Sequence, residues 1–118
     1  GACWVPGVRA GAAADVAPLI NSTLAHGLDY DDAMPGAGHP SALVLAATLA
    51  AAESAGVQLD GRKLIEAFVV GFEATVKSAR AIGVQHYFKG WHTTSTAGWP
   101  PGCGGADSDG RAATPLVG

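Results

Sequence analysis

The sequence predicts an all-α fold, a helical bundle followed by an irregular C-terminal tail, and three observations carry that expectation. Alanine dominates the apolar residues, apolar positions recur at helical spacing over long stretches, and Pro, Gly and Asp punctuate those stretches where helices start and stop. Of 118 residues, 48% are hydrophobic and only 14% charged. That is enough apolar material for a core and too little charge for a disordered chain.

Residues 1–11 are Gly-rich and contain Pro6, and they read as a loop or an extended lead-in. The first helix is expected from Asp15 to Tyr30, with Val16, Leu19, Ile20, Thr23, Leu24 and Leu28 on one apolar face. Asp15 is its expected N-cap, and Pro18 is tolerable in the first turn. Ser22, His26 and Asp29 line up on the opposite side. A turn-rich loop follows, from Asp31 to Gly38. The second helix should start at Pro40, stop near Gly56 and lie in the interior, because it is apolar nearly all round.

The third helix is expected over 61–82. Asp60 caps it, Leu59 and Leu64 have staple spacing, and Gly83 ends it. Leu64, Ile65, Phe68, Val69, Phe72, Val76 and Ala79 form its buried stripe, and Glu73 pairs with Lys77 on the exposed side. Thr93 to Thr96 suggest the start of another helix, but the residues that follow do not continue it, and no fourth helix is expected. From Trp99 the composition turns to Gly, Pro, Ser and Asp, so residues 99–118 are expected to form an irregular tail with no helical period. A reading-frame error or a chimeric end would produce such a break, and a natural disordered tail is the plainer alternative.

The formal net charge is −3, with no basic stripe, which argues against nucleic acid as a partner. No apolar run reaches the roughly 18–20 residues that cross a bilayer, so no membrane partner is expected. The N-terminus lacks both a Met and a signal-peptide pattern, and the expectation is a cytoplasmic fragment. Cys3 and Cys103 are isolated thiols without metal or redox spacing.

Chemistry-bearing residues fall at helix ends. Asp29-Tyr30-Asp31-Asp32 closes the first helix, where carboxylates oppose the helix dipole. Each Asp is as well explained by solvation as by a role as base or orienting group. Clustered Asp can bind magnesium, but the spacing is not that of a calcium loop, and no metal ligand is assigned. His39 stands at the start of the second helix and His92 at the start of the next. A helix N-terminus attracts anions, so two histidines at two such ends suit a substrate with several carboxylates. His26 lies on a helix face beside Asp29, where an orienting hydrogen bond is expected. His86 has no distinguishing context.

Taken together, these segments resemble the helical domain of the MmgE/PrpD family over about residues 8–98. The matching string runs from Asn21 to Asp32 through His26-Gly27-Leu28-Asp29-Tyr30-Asp31-Asp32. His39-Pro40-Ser41 follows, then Gly71-Phe72-Glu73, then His86-Tyr87 and Gly90-Trp91-His92-Thr93. The resemblance implies a cofactor-free lyase acting on small polycarboxylates, most closely 2-methylcitrate dehydratase of propionate metabolism. The alternatives are an epimerase of an imino diacid and a non-catalytic helical remnant. It implies Asp29, His39 and His92 as catalytic residues, with His26, Asp32, Ser41 and Thr93 toward the substrate, and a homodimer in the full-length family. Residue 33, often Thr in the family, is Ala here. The family's catalytic lysines and second domain lie beyond residue 98, so the fragment alone is expected to be inactive.

Overall fold

The computed structural model describes residues 2–102. Its elements, in order, are strands β1 (Cys3–Val5) and β2 (Val8–Ala12), then helices α1 (Ala17–His26), α2 (Pro40–Ala55), α3 (Gly61–Ile82), α4 (Gln85–Phe88) and α5 (Thr93–Gly102). The fold is mostly helical but not purely so. The lead-in pairs with itself as an antiparallel hairpin, Val5 opposite Val8 and Cys3 opposite Ala12. Its residues alternate in the manner of a strand: Cys3 and Val5 are buried while Trp4 faces out. Three residues and five are too few to display a period in sequence, which is why this sheet was not expected.

The hairpin seals one end of the core. Cys3, Val5, Ala17 and Ala50 form a buried cluster, with Ala12 and Ile20 against it. The Cys3 thiol donates to the Ala50 carbonyl at 3.3 Å, and the Trp4 backbone N–H donates to the Glu53 carboxylate at 2.6 Å.

Helix α1 is shorter than expected at both ends. The Ala13 carbonyl already accepts from Val16 and Ala17, so a turn precedes the helix. Asp15 is therefore not the cap; Val16 holds that position without a capping side chain. At the other end Asp29 adopts φ +57°, and its N–H returns to the His26 carbonyl at 2.9 Å. The helix thus ends at His26 with Gly27 as its C-cap, and the left-handed Asp29 then turns the chain before Tyr30. The apolar face also differs from expectation. Val16, Leu19, Leu24 and Leu28 are exposed, whereas Ala17 and Ser22 are buried. The helix turns its small residues toward alanine-rich α2, because small side chains let two backbones approach closely. Its large apolar residues are left outside.

The caps of α2 and α3 follow the expected chemistry. Pro40 opens α2, and Gly56 closes it at φ +66° with its N–H on Ala52 and Glu53 carbonyls. Helix α2 contacts α1, α3, α5 and β1, so it is the central helix, burying Ala42, Val44, Ala46, Ala47 and Ala50. Leu45 and Leu49 are exposed on the remaining side. The Asp60 side chain accepts from the Lys63 N–H at 2.8 Å, and Gly83 ends α3. Glu73 and Lys77 pair at 3.7 Å on the exposed side.

Only the second half of the expected α3 stripe is fully buried. Val76 and Ala79, with Thr75, lie inside, while Ile65 and Val69 are exposed. The core there is a second cluster of Ala37, Val76, Ala79 and Ala97, flanked by Met34 and Phe72. The hydroxyl run Thr93–Thr96 does open a helix, and contrary to the expectation that this helix fails to continue, α5 runs from Thr93 through Trp99 to Gly102, four residues into the stretch expected to be irregular. The rest of that expectation, residues 103–118, lies outside the described residues. Among the described residues, no helix is long and apolar enough to cross a membrane.

The approach of α2 to α3 depends on Gly71, where an added Cβ would lie 2.7 Å from Val44 Cγ1. Alanine is intrinsically better in a helix by about 1 kcal/mol. Overpacking a close contact costs about 1–3 kcal/mol, so packing should win. Gly71→Ala should lower stability in chemical denaturation, and pairing it with Val44→Ala should remove the steric part of the loss. A stabilised Gly71→Ala chain would show that the two helices do not meet at this point.

Candidate functional site

The site forms where the C-terminal end of α1 meets the N-terminal ends of α2 and α5. The left-handed turn at Asp29 reverses the chain so that Asp31 comes back to the last turn of α1. There both Asp31 oxygens lie within hydrogen-bond distance of His26 Nδ1, at 3.0 and 3.1 Å. His39 sits between the two carboxylates. Its Nε2 is 3.6 Å from Asp29 Oδ1 and its Nδ1 is 3.6 Å from Asp31 Oδ1. The His26 and His39 rings are 4.3 Å apart between centroids, and the His92 ring is 6.0 Å from that of His26.

Both helix-start histidines are held by backbone. His39 is the residue before Pro40, and its N–H donates to Thr94 Oγ1 at 3.1 Å. His92 provides the carbonyl that accepts from the Thr96 N–H at 3.2 Å, the first helical bond of α5. Gly38 makes the junction possible. It has φ +78°, and a Cβ there would run into the Thr94 hydroxyl and lie 3.2 Å from the Thr94 backbone nitrogen. Asp32 accepts from the Ser41 N–H at 3.1 Å, satisfying a free donor at the start of α2.

Beside these groups opens a cleft of about 450 Å³, lined in part by Ala33, Met34, His39, Tyr87, His92 and Thr93. The profile of the MmgE/PrpD N-terminal domain matches residues 1–105. The chain belongs to the MmgE/PrpD family. The match extends past the region 8–98 that the motifs alone carry, covering the hairpin and the whole of α5. Neither curated proteins nor solved structures give a significant match.

Against this frame, Asp29, His39 and His92 lie at one junction despite their separation in sequence, with His26 among them. Thr93 lines the same cleft as His39 and His92. Asp32 and Ser41 are engaged with each other at the end of α2. Two residues were not picked out from sequence. In sequence Asp31 is only one of three clustered carboxylates, yet its side chain is 11% exposed and faces both His26 and His39. Thr94 looks in sequence like any helix-start hydroxyl, although it is the residue that holds His39. A Thr paired with a Gly 56 positions earlier offers no local signal. The one available hint for Asp31 was its place two residues after Asp29, across a turn.

Burial works to raise the Asp31 pKa, but the hydrogen bond from His26, the Asp31 backbone hydrogen bond and the charges of His26 and His39 outweigh it. The carboxyl is held below its usual 3.8. A carboxyl whose folded value is depressed adds stability that is fully present above the unfolded value and is lost as pH falls through the folded value. Stability should therefore decline on acidification below about pH 4. Asp31→Asn should flatten that part of the profile when unfolding is followed from pH 5 downward. An unchanged acid limb in the variant would mean that Asp31 is not held as an ion by the two histidines.

Proposed function

We propose that this domain contributes the acid–base half of a cofactor-free lyase site for a small polycarboxylate, with dehydration of a 2-methylcitrate-like substrate as its reaction. The observation that carries this reading is the meeting of His39, His92 and Asp29 beside one cleft, with each histidine at the start of a helix. Dehydration next to a carboxylate removes a proton from carbon and expels hydroxide from its neighbour. The carbon's electron pair forms the double bond, and the departing hydroxide takes a proton to leave as water. One imidazole accepts the first proton and another supplies the second, a division of labour that suits histidine near neutral pH.

The remaining groups fit supporting roles. Asp29, 3.6 Å from His39 Nε2, orients that ring. The N-termini of α2 and α5 attract the substrate's carboxylates through their free N–H groups and dipoles. Ser41 and Thr93 stand in the first turns of those helices, and His26 backs the cluster. Asp32, already bound to the Ser41 N–H, shapes that end and does not itself meet an anionic group. Ala33 leaves out a hydroxyl that family members often place there, so one substrate hydrogen bond is absent from this reading.

In an enzyme carrying residues 1–105 as its N-terminal domain, His39→Ala and His92→Ala should each lower turnover of 2-methylcitrate by about 10²-fold or more, with the fold retained. Steady-state kinetics with circular dichroism on each variant would check this. Near-wild-type turnover in both variants would rule out the assignment.

A further inference from the structure

The same junction has the composition and spacing of a metal site. Four potential donors come together there: His26, Asp29, Asp31 and His39, with one ligand atom from each lying within 4.8 Å of the others. Linear spacing hides this set, because His39 reaches it only through the fold. We propose that these four residues bind a divalent cation of the Zn²⁺ class. The binding itself does not rest on the lyase reading.

Tetrahedral zinc with bonds of roughly 2.0–2.1 Å separates its donor atoms by about 3.3 Å. The separations here straddle that value: 3.0 Å from His26 Nδ1 to Asp31, 4.0 Å from His26 Nδ1 to Asp29, and 3.6 Å from whichever His39 nitrogen is the donor, Nδ1 to Asp31 or Nε2 to Asp29. No two of the four ligand atoms are more than 4.8 Å apart, so side-chain rotation has to close the widest pair by at most about 1.5 Å to bring them onto one ion. Two imidazoles with carboxylates select zinc, cobalt or nickel over magnesium or calcium, which take oxygen donors.

Two further features support a cation. His39 Nδ1 is buried and makes no hydrogen bond, so this network leaves a ring nitrogen unsatisfied. Asp29, with its side chain 76% exposed, provides a way in from solvent while the other three donors are largely covered. Coordination by His26 Nδ1 uses the lone pair at that atom and leaves the ring proton on Nε2, and the ion takes the place of the present hydrogen bond to Asp31. If the lyase reading also holds, a bound cation withdraws His39 from proton transfer and Asp29 from orienting it, and so inhibits the enzyme.

The probe is Co²⁺, titrated into the purified 118-residue chain and followed by visible absorption, with Zn²⁺ as competitor. One equivalent should bind with a tetrahedral spectrum that Zn²⁺ abolishes. His26→Ala and Asp31→Asn should each weaken binding roughly tenfold or more, and His86→Ala, outside the cluster, should leave it unchanged. Circular dichroism would report whether the variants remain folded. X-ray absorption of the Zn²⁺-loaded wild-type chain needs no variant and should show an N/O shell with two imidazoles. Absence of stoichiometric uptake, equal affinity in folded His26→Ala and Asp31→Asn chains, or a shell containing sulfur or fewer than two imidazoles would overturn the proposal.

Discussion

The hydrogen bond from the His39 backbone N–H to the Thr94 hydroxyl joins parts of the chain 55 residues apart, and the site depends on it. It fixes the residue before α2 against the first turn of α5. His92 stands two residues before Thr94, so the same bond brings the third imidazole to the junction. The contact needs a backbone without a side chain at residue 38, and Gly38 supplies that in a left-handed conformation that other residues adopt at a cost. A hydroxyl, a glycine and a helix start thus accomplish together what no local propensity specifies.

A second local device completes the arrangement. Asp29, in the left-handed region just past the end of α1, sends the chain back on itself, which sets Asp31 against His26. Asp is among the residues that tolerate this conformation, since its short polar side chain can bond locally. The turn therefore places one carboxylate at the exposed lip and another beneath it. His39 lies between them, with one ring nitrogen 3.6 Å from each carboxylate.

The sequence made the helix punctuation legible because capping chemistry is local. Pro40, Gly56, Asp60 and Gly83 each act within one turn, and the structure finds all four in their expected places. The faces of the helices were less legible. Apolar spacing on α1 marked Leu19, Leu24 and Leu28, yet the helix packs through Ala17 and Ser22, because the partner helix is lined with alanine and rewards close approach over bulk. The hairpin leaves no signal in the sequence because strands of three and five residues carry no period. The three histidines and Asp29 could be singled out from helix ends and motif order, whereas Asp31 and Thr94 acquire their roles only from contacts across turns and between distant elements.

Membership of the MmgE/PrpD family and the geometry of the junction bear on one claim, that helix ends remote in sequence assemble a single imidazole–carboxylate cluster. The most direct measurement is the set of proton–proton nuclear Overhauser effects among the histidine rings of the chain in solution. Centroid separations of 4.3 Å for His26–His39 and 6.0 Å for His26–His92 predict a strong cross-peak for the first pair and a weaker one for the second. Well-resolved ring resonances with no cross-peak between His26 and His39 would contradict the account.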